Sequence, residues 1–243
     1  MTSTMSRPAE VVQAVTRPRP GPAFAAAPTR TIPSLFLARL CKRTRSVCIT
    51  FDDGPGARLT GDLLALLDAH AARATFFVIG SQAGKSPEIV DQIAARSHEI
   101  GCHTLQHRNA WKTRGSDAVK DIRAGYHALS HWIPTNAIFR PPYGKMSLAT
   151  MRETRRRNAS VAWWTIDGGD THSSLPRKDD AVERLKRLRG GVVLLHDFDR
   201  TVHAVARARY VVETTESLLR TAAEEGLVVR TIAELIAMEG ASA

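Results

Sequence analysis

The sequence predicts an α/β fold, a distorted (β/α) barrel of about seven parallel strands. Short apolar runs alternate with amphipathic stretches from residue 46 onward. The chain has 243 residues, of which 43% are hydrophobic, so it can bury one sizeable core. Polar residues follow several of the apolar runs, where a barrel gathers its catalytic groups. An open, doubly wound sheet would show the same alternation, but these polar residues favour the barrel.

The strands are predicted from apolar runs whose length is typical of buried parallel strands. These runs cover residues 47–51, 75–79, 99–103, 137–140, 161–166, 192–196 and 228–231. The helices are predicted from apolar residues spaced three and four apart, which form a face that covers a sheet. These stretches cover residues 61–70, 87–96, 117–132, 148–157, 179–189 and 204–225.

Residues 1–45 are predicted to form a basic, Pro/Ala-rich, disordered arm, and residues 46–243 a catalytic domain. The formal net charge is +10, and residues 1–46 carry +7 of it, from eight Lys or Arg and one acid. The remaining +3 is ordinary for a domain of this size, and the arm has only Phe24 and Phe36 as aromatic residues. A nucleic-acid partner is therefore not indicated, nor is a protein partner.

The sequence favours a cytoplasmic location. The three cysteines form neither a CxxC pair nor an even set, which is typical of a reducing compartment. No apolar run reaches the roughly 18 residues of a transmembrane segment. Arg17 and Arg19 occupy the place where a signal peptide would have its apolar core. An Arg-rich, acid-poor start also occurs in transit peptides, which leaves that alternative open.

Two short motifs contain candidate metal-binding and catalytic residues. Asp52 and Asp53 follow an apolar strand and precede a Gly-Pro turn signal. His103 and His107 are four residues apart, a spacing that places both imidazoles on one face of a helical turn. Two imidazoles and one carboxylate form the three-ligand set of a catalytic zinc or another divalent metal. Taken alone, such a His pair is more often a solvated helix face, and the Asp pair is equally typical of a solvated turn.

The chain resembles the NodB-type polysaccharide deacetylases, carbohydrate esterase family four, over about residues 46–236. Five ordered motifs carry the resemblance: Thr50-Phe51-Asp52-Asp53-Gly54-Pro55, His103-Thr104-Leu105-Gln106-His107, Arg140-Pro141-Pro142-Tyr143-Gly144, Asp167-Gly168-Gly169-Asp170 and Val193-Leu194-Leu195-His196-Asp197. It implies that Asp53, His103 and His107 bind one divalent metal ion, with zinc favoured by ligand type and cobalt as an alternative. It further implies that Asp52 is the catalytic base and His196 the catalytic acid.

The resemblance also implies supporting roles. Arg140 would orient Asp52 and keep it ionised, and Asp170 would pair with His196 and favour its protonated form.

Two residues of the expected substrate site match the family pattern, and a third differs from it. The backbone N–H of Tyr143 would help to hold an oxyanion, and Leu194 would line the acetyl pocket. Thr171 stands where the family usually has a tryptophan after the fourth motif, so we expect an altered groove. Trp163 and Trp164 lie upstream, and core packing is favoured over sugar stacking for both.

The reaction that the resemblance implies is removal of acetyl groups from N-acetylated amino sugars in an oligosaccharide or glycan, with release of acetate. One alternative is an O-acetyl esterase that acts on a polysaccharide such as acetylxylan. Another is a non-catalytic glycan-binding protein, which a complete acid, base and metal set argues against. The chain has no GxSxG motif, so a serine nucleophile of that type is not indicated.

Overall fold

The computed structural model describes residues 31–177, 179–199 and 204–240. Strands and helices alternate through these ranges. The strands are β1 (Thr31–Ile32), β2 (Ser46–Asp52), β3 (Thr75–Val78), β4 (Glu99–Cys102), β5 (Val161–Ala162), β6 (Ile166–Asp167), β7 (Gly191–His196) and β8 (Val228–Val229). The helices are α1 (Ser34–Arg43), α2 (Leu59–Ala69), α3 (Gly80–Ala83), α4 (Pro87–Ala95), α5 (Gly115–Ala128), α6 (Leu148–Arg156), α7 (Asp179–Leu188), α8 (Ala204–Glu224) and α9 (Ile232–Gly240). A 3₁₀ turn covers Pro142–Gly144.

Every strand pair of the described sheet is parallel, as the sequence predicts. Strand β2 pairs along almost its whole length with β7, and on its other side with β8 near its start and β3 near its end. Strands β4 and β6 extend the sheet, which gives the order β4-β3-β2-β7-β6. Strands β1 and β5 pair with each other. Single bridges join Phe139 to Cys102 of β4 and to Val161 of β5.

Residues 161–167 lie at both edges of the sheet. Their start, β5, is linked through Phe139 to the β4 edge, and their end, β6, pairs with β7. The strands are therefore arranged as a distorted barrel. Residues 163–165 connect its two edges, β5 and β6, and no ladder of hydrogen bonds closes it within the described residues. The predicted parallel α/β fold is confirmed. The predicted strand at 161–166 is divided in two, and the predicted strand at 137–140 is reduced to the bridge at Phe139.

Alternate residues of the central strands face two separate apolar cores, because successive side chains of a strand point to opposite faces. Ile49 of β2 and Val193 of β7 belong to the larger core, which also includes residues of α2, α4 and α8. Cys48 and Val192, their neighbours in sequence, belong to the second core, with residues of α1 and α9. Asp52 and His196 lie at the C-terminal ends of β2 and β7, on the same face as Cys48 and Val192.

Helix α1 corrects the predicted boundary of the arm. Leu37, Leu40 and Cys41 are at most 2% exposed and pack in the second core, whereas Arg39 and Lys42 lie on the exposed face. The arm therefore cannot extend to residue 45 as a disordered segment, because an amphipathic helix of ten residues lies within it. Residues 1–30 lie outside the described residues. In the described ranges, no helix combines the length and apolar content that crossing a membrane requires.

Candidate active site

The first motif ends β2 with two carboxylates that point to different partners. Asp52 is the last residue of the strand and is 4% exposed. Asp53 follows in the left-handed region, at φ 73°, which turns its side chain away from the direction that the strand would give. Asp52 Oδ1 accepts a hydrogen bond from Arg140 Nη1 at 2.7 Å, whereas Asp53 Oδ1 lies 3.2 Å from Nε2 of His103.

Asp53, His103 and His107 converge on one point, as the predicted metal site requires. Asp53 Oδ1 is 3.2 Å from Nε2 of His103 and 3.1 Å from Nε2 of His107. The three potential ligand atoms lie within 4.8 Å of one another. Nδ1 of His103 is 2.7 Å from the carbonyl oxygen of Arg140, which can only accept, so this nitrogen carries the proton and Nε2 is left as a ligand.

The backbone around the two histidines is not the predicted helical turn. Residues 103–107 form an irregular loop after β4, in which Thr104 and His107 have φ values of 66° and 55°. Asp121 of α5 holds this loop by accepting the N–H groups of Gln106 at 2.9 Å and Arg108 at 3.2 Å. The imidazoles are brought together by these bonds, not by helical periodicity, and the helical prediction was wrong.

The donor set fits a divalent cation. Asp53 Oδ1 is buried and makes no hydrogen bond of acceptable geometry among the described residues, although it faces two imidazole nitrogens. Burial by itself raises the pKa of Asp53, but the close approach of the imidazoles of His103 and His107 holds this pKa well below its usual range. An ionised carboxylate oxygen beside two imidazole nitrogens is the ligand type of zinc and similar ions.

Arg140 is a buried side chain with several partners. Its Nη1 donates to Asp52 Oδ1 at 2.7 Å and to Thr50 Oγ1 at 2.6 Å, and its guanidinium lies 4.0 Å over the ring of Phe77. Its remaining bonds go to the carbonyl oxygens of residues 162 and 163, each at 3.2 Å. One oxygen of Asp52 is therefore held, and its Oδ2 is left on the side of the metal ligands, 3.9 Å from His103 Nε2.

Asp170 and His196 form the second predicted pair. Asp170 is 1% exposed, and its Oδ1 lies 3.0 Å from Nδ1 of His196. Burial lowers the pKa of His196, but the hydrogen bond and charge of Asp170, with the charges of Asp52 and Asp53, raise it to about 9. His196 is therefore protonated at neutral pH, and its Nε2–H is left to act as a donor. A cavity of about 610 Å³ has both residues in its wall.

The remaining predicted residues lie around these pairs. Tyr143 is 59% exposed at φ 58° in the 3₁₀ turn, and its ring centroid is 4.6 Å from that of His107. Leu194 is 5% exposed and precedes His196 by two positions in β7, so both side chains are on the same face. Thr171 is exposed in the loop after β6. The structure thus places every predicted site residue at one end of the sheet, while their chemical roles stay predictions.

Several residues at the site were not identified from the sequence. Thr50 and Arg207 each form a hydrogen bond with a predicted residue, Asp121 holds the loop that carries His107, and Asp197 lies buried beside the first motif. For Thr50, the alternation with Asp52 on one strand face was a usable signal. Asp197 belongs to the fifth motif but was given no role there, and Asp121 and Arg207 act across sequence separations that no local pattern reveals.

Two further side chains lie near the site, the buried Cys102 and the exposed Trp111. Cys102 precedes His103, but burial raises the pKa of its thiol to about 12, which makes it unreactive. Trp111 is 67% exposed, donates its indole N–H to the carbonyl oxygen of Met146 at 2.9 Å and has Lys145 Nζ 4.2 Å from its ring centroid. Trp111 therefore presents an oriented aromatic surface to solvent.

Comparison with known proteins identifies the family. The sequence model of the polysaccharide deacetylases matches residues 39–162. A peptidoglycan-N-acetylglucosamine deacetylase of Bacillus cereus is 31% identical over 171 residues, which cover 69% of this chain and 80% of that protein. A chitooligosaccharide deacetylase of Azorhizobium caulinodans is 33% identical over 164 residues, covering 66% and 77%. The crystal structure of the Bc1960 peptidoglycan N-acetylglucosamine deacetylase has a TM-score of 0.71 at 24% identity, over 80% of this chain and 89% of that one.

These matches and the arrangement of the site define a carbohydrate deacetylase of the hydrolase class. The chain belongs to the polysaccharide deacetylase family. The solved structure, at 24% identity, supports the fold alone.

Proposed function

We propose that this protein is a metal-dependent deacetylase that removes the acetyl group from N-acetylated amino sugars of an oligosaccharide or glycan. One observation carries the proposal: Asp52 and His196 are register partners on neighbouring parallel strands, at the edge where Asp53, His103 and His107 converge. The relatives named as a peptidoglycan-N-acetylglucosamine deacetylase and a chitooligosaccharide deacetylase support the amide rather than the ester as substrate.

The metal site would be formed by Asp53, His103 and His107. A divalent cation held there, zinc by ligand type and cobalt as an alternative, would supply Lewis-acid polarisation of the acetyl carbonyl. The fit rests on the buried Asp53 Oδ1 and on the two Nε2 atoms that face it.

Asp52 is proposed as the base. Its Oδ1 is held by Arg140 and its Oδ2 faces the metal ligands, so Oδ2 can take a proton from the attacking water. Water attack on the acetyl carbon gives a tetrahedral oxyanion, for which the backbone N–H of Tyr143 is the proposed donor. Arg140 keeps the carboxylate of Asp52 oriented through its hydrogen bond to Oδ1.

His196 is proposed as the acid. Its Nδ1 is bonded to Asp170, which orients the ring and stabilises the imidazolium. The proton on Nε2 passes to the amine nitrogen as the C–N bond breaks, so that acetate and a free amino sugar leave. No covalent enzyme intermediate is required.

The decisive experiment measures acetate released from N-acetylated chitooligosaccharides, peptidoglycan fragments and acetylxylan. We expect release from the N-acetylated substrates, loss after removal of metal, and recovery when zinc or cobalt is returned. Asp52→Asn should abolish release, while the matched control Asp117→Asn, a partly exposed acid of α5, should not. Release from acetylxylan alone would favour the esterase, and glycan binding without acetate release would favour a non-catalytic protein.

A further inference from the structure

The loop that carries Asp170 needs an external support. It follows the two-residue strand β6 through Gly168 and Gly169, and Gly169 adopts φ 74°. Residues 171–174 are exposed, yet Asp170 is 1% exposed and lies at hydrogen-bond distance from His196. Tyr210 of α8 holds the start of the loop by donating its hydroxyl to the carbonyl oxygen of Gly168 at 2.7 Å.

The part of the loop beyond Gly168 is held by one guanidinium. Arg207 of α8 donates Nη1 to the carbonyl oxygen of Asp170, and Nη2 to the carbonyl oxygens of His172 at 2.7 Å and Ser173 at 3.3 Å. Arg207 and Tyr210 are three residues apart and therefore lie on one face of the helix. A planar guanidinium with five N–H donors can bond several carbonyl groups at once, which a lysine ammonium cannot do in the same geometry.

We propose that Arg207 is a positioning residue for the acid: it holds residues 170–173 so that Asp170 stays in contact with His196. The inference rests on the proposed function, because Arg207 acts only through Asp170 on the imidazole. It contacts the backbone of the loop and not the reacting groups, so its effect is on geometry.

The test compares Arg207→Lys, which keeps the charge, with Arg207→Gln, which removes it. We expect both variants to lower kcat for acetate release by about 10- to 100-fold, since a misplacement of about 1 Å can cost that much, and to leave KM nearly unchanged. Arg220→Lys and Arg220→Gln are the matched controls, because Arg220 is an exposed cation farther along the same helix. Guanidinium ion at millimolar concentration should partly restore Arg207→Ala, and ammonium ion should not.

A second readout does not depend on activity. In NMR titration of the metal-free protein, the pKa of His196 should be lower in Arg207→Lys than in the wild type. The imidazole would lose its hydrogen bond to Asp170, whereas its burial and the nearby charges of Asp52 and Asp53 would be unchanged. If wild-type protein releases no acetate, the proposed function fails, but this titration still tests Arg207.

A double-mutant cycle completes the test. Arg207→Lys should have little further effect on kcat in an Asp170→Asn background, because both changes break the same contact. The proposal is overturned if Arg207→Lys keeps wild-type kcat and His196 pKa, or if its effect on kcat is additive with that of Asp170→Asn. A fall in melting temperature with an unchanged pKa of His196 would also overturn it, since that is the result of a purely structural role.

Discussion

Replacing Asp170 by asparagine tests the acid half of the proposed mechanism. With a pKa of about 9, about 97% of His196 is protonated at pH 7.5. Without the Asp170 carboxylate, we expect the pKa to fall toward its ordinary value of 6.5, where about 9% is protonated at this pH. The fraction of enzyme with a usable proton therefore falls about tenfold at pH 7.5, and much less at pH 5.5.

The assay follows kcat/KM for acetate release from a soluble N-acetylated chitooligosaccharide between pH 5.5 and 9.5. The alkaline limb of the profile should move from about 9 in the wild type toward 6.5 in Asp170→Asn. Asp62→Asn, an exposed acid of α2 that borders the same cavity, is the control and should keep the wild-type profile. If Asp170→Asn loses activity by the same factor at every pH, Asp170 does not hold the proton on His196, and the reasoning fails.

Three further predictions follow from the site. His103→Ala should weaken zinc binding, measured by calorimetry, by at least about 100-fold because it removes a ligand, while exposed His131→Ala should bind as the wild type does. Burial raises the pKa of Asp197 from 3.8 to about 7, so this carboxyl lowers the free energy of unfolding increasingly as the pH rises from about 4 to 7. In denaturant unfolding, Asp197→Asn should therefore become more stable than the metal-free wild type across this range, by up to about 4 kcal/mol. A difference that stays constant with pH would contradict this. Trp111→Ala should raise KM for glycans about fivefold through loss of about 1 kcal/mol of stacking, and Thr171→Trp should lower it; unchanged KM in both would show that neither position contacts the sugar.

Strand and helix positions could be predicted because their signals are local. The buried strands β2 and β7 are continuous apolar runs, as parallel strands covered on both faces require. Helix α1 was not predicted because residues 1–45 were interpreted from their content of Pro, Ala, Ser, Thr and Arg, although the apolar face of this helix is buried in the second core. The division of residues 161–167 into two strands could not be predicted, because it depends on partners that are distant in sequence. The first half meets Phe139, and the second half pairs with β7.

The site could be located from sequence because each of its motifs ends a strand, and the ends of parallel strands meet at one edge. Its local geometry could not be predicted. His103 and His107 were placed on a helical turn by their spacing, whereas the backbone there is left-handed at Thr104 and is held by Asp121 of α5. A side chain that supports a site from another element leaves no trace in the motif that it supports.

The site divides into residues that the sheet holds and residues that loops hold. Asp52 and His196 end the paired strands β2 and β7, so the separation of base and acid is set by the register of the central ladder. The proposed metal ligand His107 and the supporting Asp170 lie in irregular loops, and a side chain from a neighbouring helix, Asp121 or Arg207, helps to hold each loop. The loops can therefore vary in length and composition, as at Thr171, without moving the acid and base apart. Changes in the two helical supports should accordingly alter metal affinity or the pKa of His196 more than they alter the folding of the barrel.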